Sequence, residues 1–148
     1  MKTLLVGYGN SVRSDDGAGL AVAGKVAEKK LPDVLVRMAQ QLNLELIEEF
    51  LDYEMVILTD ARSGGEPVSL ERLDSDRKAG IPSSHHLDPL LMAELSRHLY
   101  GRTMIIFVCS VRGENFNYGT ALSDPVKPRV EEAANRIADL ITRKRYYA

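Results

Sequence analysis

A chain of 148 residues with 45% hydrophobic and 27% charged content has the balance of one globular domain, expected over residues 1–148. Such a chain can bury roughly 68–70% of its unfolded surface. The net charge of −2 offers no basic field for nucleic acid or an anionic membrane, and the single cysteine, Cys109, excludes an intrachain disulfide and a cysteine-rich zinc cluster.

The first apolar run, residues 3–8, reads as a strand buried on both faces. Ala18, Val22 and Val26 follow at helical spacing, with Ala23 and Ala27 beside them. Pro32-Asp33 breaks that pattern, and Val34-Leu35-Val36 reads as a second strand. Leu42 to Leu51 reads as a short helix, and Met55-Val56-Ile57-Leu58 as a third buried strand ending at Thr59-Asp60. Gly64-Gly65 marks a turn, after which Val68, Leu70 and Leu73 alternate with polar residues as in a half-exposed edge strand.

Residues from Asp74 to His86 are polar, with Gly80 and Pro82, and read as a loop. Leu91, Leu95 and Leu99 then predict a helix ending at Gly101, with His98 on its surface. Thr103 to Cys109 is the strongest strand, in which Cys109 reads as a small buried hydrophobe. The run is too short to span a bilayer. Ser110 to Ser123 reads as irregular. Pro125 or Pro128 suits the first turn of a last helix whose apolar stripe is Val130, Ala133, Ala134, Ile137 and Ile141. Arg143, Lys144 and Arg145 suit the negative end of that helix dipole. The order predicts an α/β fold with three layers: a mostly parallel twisted sheet, helices on both faces and one edge strand. No apolar leader precedes the first strand, so a reducing cytoplasm is the expected setting.

In such sheets the working residues gather beyond the carboxyl ends of the strands. Three places qualify: the turn after the first strand (Asn10, Asp15, Asp16), the end of the third strand (Asp60), and the loop holding Ser83, Ser84, His85 and His86. Two carboxylates and one imidazole would suit a borderline divalent metal such as nickel, zinc or iron. Simpler roles compete. Asp15 and Asp16 could stabilise a helix start, Asp60 could close the strand through an Asx-turn, and the histidines could be solvated. A dinucleotide site is disfavoured because Gly7-Tyr8-Gly9-Asn10-Ser11-Val12 has valine where the fingerprint's third glycine allows close helix–strand packing. Two carboxylates at a helix start also repel phosphate. A serine hydrolase would need a Gly-x-Ser-x-Gly elbow, which is missing.

Gly9-Asn10 followed by Asp15-Asp16-Gly17-x-Gly19 resembles the nickel–iron hydrogenase maturation proteases, endopeptidases that trim the C-terminus of the hydrogenase large subunit. Leu58-Thr59-Asp60-Ala61, Ser83-Ser84-His85-His86-Leu87, and Val111 to Phe116 with Gly119 to Ser123 are similar to further blocks of that family, in order along nearly the whole chain. The resemblance implies Asp16, Asp60 and His85 as the metal-contacting, catalytic set, with His86 the competitor for the last place. It implies nickel supplied by the substrate rather than a resident cofactor; the identity of the general base stays open, with Asp16 the preferred candidate. Asn10 and Gln41 would position the backbone of the bound tail. Gln40-Gln41-Leu42-Asn43-Leu44-Glu45-Leu46 replaces the Asp-Gly-Gly-Thr-type turn of many relatives. It is similar to a variant associated with cytoplasmic, cofactor-linked hydrogenases. The implied partner is a hydrogenase large-subunit precursor, without nucleic acid or membrane, and the protein is expected to be a monomer. The alternative function is a non-catalytic nickel chaperone of hydrogenase assembly.

Overall fold

The computed structural model describes residues 2–73, 88–101 and 104–147. Five strands, β1 (Thr3–Tyr8), β2 (Val34–Ala39), β3 (Met55–Arg62), β4 (Val68–Arg72) and β5 (Ile105–Arg112), form one sheet in the order β2-β1-β3-β5-β4. All neighbours are parallel except β4, which runs antiparallel to β5 at the edge. The helices are α1 (Ala18–Glu28), α2 (Glu45–Phe50), α3 (Pro89–Tyr100) and α4 (Val126–Tyr147). Among the described residues no helix is long and apolar enough to cross a membrane.

Strand alternation divides the core in two. Leu5, Ile57 and Cys109 join Val22, Val26 and the predicted stripe of α4 on one side. Leu4, Val6, Val56, Leu58 and Ile106 meet Ile47, Phe50 and Met92 of α2 and α3 on the other. The predicted layering is therefore observed. Cys109 is buried, and burial pushes its thiol up to about 11.

Several boundaries differ from expectation. The strand β5 runs on to Arg112, so Ser110 to Arg112 are not irregular; β3 pairs with all three, and β4 adds Ser69 opposite Ser110 and Val68 opposite Val111. The edge strand β2 continues to Ala39 because β1 offers partners up to Tyr8. Helix α2 is shorter than predicted, beginning after Asn43, whose side chain accepts from the Leu46 N–H. In α3 the buried row is Met92 and Ser96, while Leu99 lies 63% exposed at the helix end.

Helix α1 does not begin at the two aspartates. Asp15 and Asp16 occupy a separate 3-10 turn, Ser14–Gly17. The close helix–strand packing that valine at position 12 was expected to prevent is present, supplied from elsewhere. A side chain at Gly19 would strike the Thr59 and Tyr8 carbonyls and the Asp60 backbone, and one at Gly7 would strike Gly19 and Ala23. Helix α1 thus presses against the carboxyl ends of β1 and β3. In this strand order the chain leaves β1 for β2 on one side and returns to β3 on the other, which puts the switch in strand order beside those same ends.

Candidate active site

Gly9 opens the turn after β1 with φ +149°, and a side chain there would collide with the Asp16 carbonyl oxygen. The turn then folds back so that the Asn10 N–H donates to Asp16 Oδ2 at 2.7 Å. Asn10 Oδ1 accepts from the Val12 N–H at 3.0 Å, a short Asx-turn that fixes the loop. Asp16 is left half-buried, held through one oxygen at the mouth of the fold.

Its neighbour has another task. Asp15 is fully buried, and its carboxylate accepts from the N–H groups of Glu114, Asn115 and Ser123 and from the Ser123 hydroxyl, at 2.7–2.8 Å. Burial opposes its ionisation, but these donors outweigh it and hold its pKa below the usual aspartate value. Asp15 is therefore not a dipole partner of a helix start; it clasps the 113–123 loop against the turn after β1. Ser14 sits in the left-handed region at φ +52°, a conformation costing roughly 1–2 kcal/mol. It is held there by its N–H donating to the Gly119 carbonyl and its hydroxyl to the Asn117 carbonyl, both at 2.8 Å.

Asp60 lies near the carboxyl end of β3, opposite Ser110 in the ladder. It does not close the strand as an Asx-turn would, since β3 continues to Arg62. Ser110 Oγ donates to Asp60 Oδ1 at 2.8 Å, and the Tyr8 hydroxyl donates to Oδ2 at 3.0 Å. Burial raises the pKa of Asp60, with the Asp16 charge adding to the effect. The two hydroxyls and the Arg62 charge offset only part of it. Tyr8 is pushed well above the usual tyrosine range by burial and by the carboxylate it faces, so it remains a donor.

Asp16 and Asp60 line one cleft of about 350 Å³ with Tyr8, Asn10, Arg13, Gln40 and Gln41. Four residues singled out by the sequence (Asn10, Asp16, Gln41 and Asp60) thus share a cavity at the switch in strand order. Asp60 and Ser110 also form part of a neighbouring cavity of about 570 Å³, towards Arg62, Arg72 and Asp88. His85 and His86 lie outside the described residues. Among the described residues no three His, Cys, Asp or Glu side chains form a metal site. Two positions sequence reasoning did not select are Tyr8 and Ser110; the only signal for them is their place at strand ends beside Asp60. His98, on α3, is exposed as expected.

A cleft walled by two carboxylates favours a cation and disfavours a phosphate. No protein-family model and no curated protein matches the chain. Solved structures do. The nickel–iron hydrogenase maturation protease HycI of Thermococcus kodakarensis KOD1 superposes with a TM-score of 0.75 at 25% identity, over 95% of this chain and 92% of that one. HybD of the same genus and species gives 0.69 at 24% identity, over 95% and 99%. The hydrogenase maturating endopeptidase HybD of E. coli gives 0.76 at 19%, over 97% and 94%. From β1 to α4, this chain has the fold of the nickel–iron hydrogenase maturation proteases and is similar to them over nearly its whole length.

Proposed function

We propose that this protein is an endopeptidase that removes the C-terminal extension of a nickel–iron hydrogenase large-subunit precursor after nickel has been inserted. One observation carries the reading: Asp16 and Asp60, from separate elements, wall a single cleft in a fold shared with maturation proteases. In this reading Asp16, Asp60 and His85 reach the nickel that the precursor carries, so the ion belongs to the substrate and is not a resident cofactor.

Nickel carried by the substrate would polarise either the scissile carbonyl or the attacking water, and the water adds to the carbonyl carbon. Asp16 takes the proton that the water releases. The C–N bond then breaks, and that proton passes to the departing amine nitrogen. Asp60, with both oxygens held by hydroxyl donors, keeps a fixed orientation towards the ion. Asn10 and Gln41 steady the backbone of the tail. The protein acts as a monomer in the cytoplasm.

The test is intact-mass analysis of the precursor incubated with the protein, with and without nickel. Loss of the tail is expected from the nickel-loaded precursor alone, and not with Asp16→Asn. A nickel chaperone would bind nickel by itself and leave the precursor's mass unchanged. An unchanged mass for the nickel-loaded precursor overturns the reading.

A further inference from the structure

The sheet has two outer edges, and the fold treats them differently. On β4, Pro67 and Leu73 bond to β5, so the backbone groups of Val68, Leu70 and Arg72 point outward. There the Val68 carbonyl accepts from the Arg136 guanidinium of α4 at 3.3 Å, and Glu71 and Arg72 bring charge to the strand end. On β2, the Asp33 carbonyl accepts from the Thr3 N–H and the Ala39 carbonyl from the Gly9 N–H. Backbone direction alternates along a strand, so Leu35, Arg37 and Ala39 face β1, while the N–H and C=O groups of Val34, Val36 and Met38 point outward. Among the described residues no group takes these up. Pairing with β1 is unbroken along the whole strand, without a bulge, and Val-Leu-Val-Arg-Met-Ala holds neither the proline nor the lysine that commonly blunts an edge.

We propose that the tail of the protein substrate adds to the open edge of β2 as a sixth strand where it enters the cleft. This inference rests on the endopeptidase reading and deepens it by naming how the tail is held. A chain offered for cleavage has to be extended around the scissile bond, so its backbone donors and acceptors arrive unpaired. The outward groups of Val36 and Met38 are their complement, and pairing satisfies both sets whatever the tail's side chains. Position supports the match. Strand β2 runs directly into Gln40 and Gln41, which wall the cleft. Met38 lies only roughly 7 Å of extended chain from Gln40. A further hollow of about 350 Å³, lined by Met38 and Ala39, shares Gly9, Asn10 and Gln40 with the cleft, so the end of this edge opens into it. The edge thus supplies a recognition element independent of the carboxylates.

The experiment is amide hydrogen exchange of the wild-type protein, read residue by residue, alone and bound to nickel-loaded precursor whose scissile bond is altered so that it is not cut. In the free protein Val36 and Met38 are expected to exchange fast, and Leu35, Arg37 and Ala39 slowly. In the complex Val36 and Met38 should slow by about tenfold or more, as expected for hydrogen bonds of a strand ladder, while Leu70 and Arg72 on the β4 edge stay unchanged. Met38→Pro deletes one outward donor and leaves the bonds to β1 intact, a substitution that edge strands tolerate. With unaltered nickel-loaded precursor it should raise KM by about 3–10-fold, the effect of one lost hydrogen bond, with kcat little changed. Unaltered precursor cut by the wild type while Val36 and Met38 exchange equally fast free and bound overturns the strand addition and leaves the endopeptidase reading intact. Slowing that appears without precursor, together with a dimer's mass, assigns the edge to a second copy of this chain and also overturns it. Slowing on precursor binding, with unaltered precursor left uncut, supports the strand addition and overturns the endopeptidase reading.

Discussion

Asp60 carries two hydroxyl donors on its two oxygens, and removing one of them isolates what that orientation is worth. Tyr8→Phe keeps the ring that packs beneath the cleft and deletes only the donor to Oδ2. The expected loss is about 10–100-fold in kcat/KM, the usual effect of deleting a group that orients a ligand. The Tyr8 hydroxyl favours the ionised form of Asp60, whose pKa burial has already raised, so its loss raises that pKa further. Activity that needs the carboxylate should therefore disappear at a higher pH on the acid side of the profile. A merely structural tyrosine would lower stability and leave that acid limb in place. Thermal unfolding alongside the pH–rate profile separates the two.

Helix α1 and strands β1 and β3 form the element on which the cleft is built, and their contact is made by glycine. In a helix interior alanine is ordinarily better than glycine by about 1 kcal/mol. Gly24→Ala should show that gain, because its added methyl would meet only the end of Met38 at an ordinary 3.6 Å. Gly19→Ala should reverse it, destabilising by about 1–3 kcal/mol as the methyl forces the helix away from β3. Activity should fall with it, since the displaced backbone is that of Asp60. Urea unfolding of both variants checks the pair, and equal effects would show that the close approach is not needed. These elements also show what a sequence can and cannot disclose. The β3 strand was legible because a buried apolar run carries its own signal, and the carboxylate directly after it stood out as costly. Ser110 was not, since its importance comes from lying opposite Asp60, and register is a tertiary property. Asp15 and Asp16 are adjacent and chemically identical. Only the distant partners at 114, 115 and 123 turn one into a clasp and leave the other at the cleft. The extra length of β5 was hidden for the same reason: its ladder depends on the ends of β3 and β4.

At the scale of the whole molecule, the sheet order places the ends of β1 and β3 beside the switch in strand order, and the turn after β1 brings Asp16 to the same cleft as Asp60. The 113–123 loop, fastened by Asp15 and by the bonds to Ser14, supports that turn from behind. Residues far apart in the chain therefore share one opening. The proposal asks one thing more of the molecule: that the imidazole of His85 join the two carboxylates at a common point. Anomalous diffraction at the nickel edge, from crystals of the protein in complex with a nickel-loaded precursor whose scissile bond is altered so that it is not cut, measures this directly. The account predicts one strong peak in the cleft, bonded to Asp16, Asp60 and His85, and its loss in Asp60→Ala. Nickel bound only at other sites, or a cleft peak lacking either Asp60 or His85 as a ligand, would contradict it.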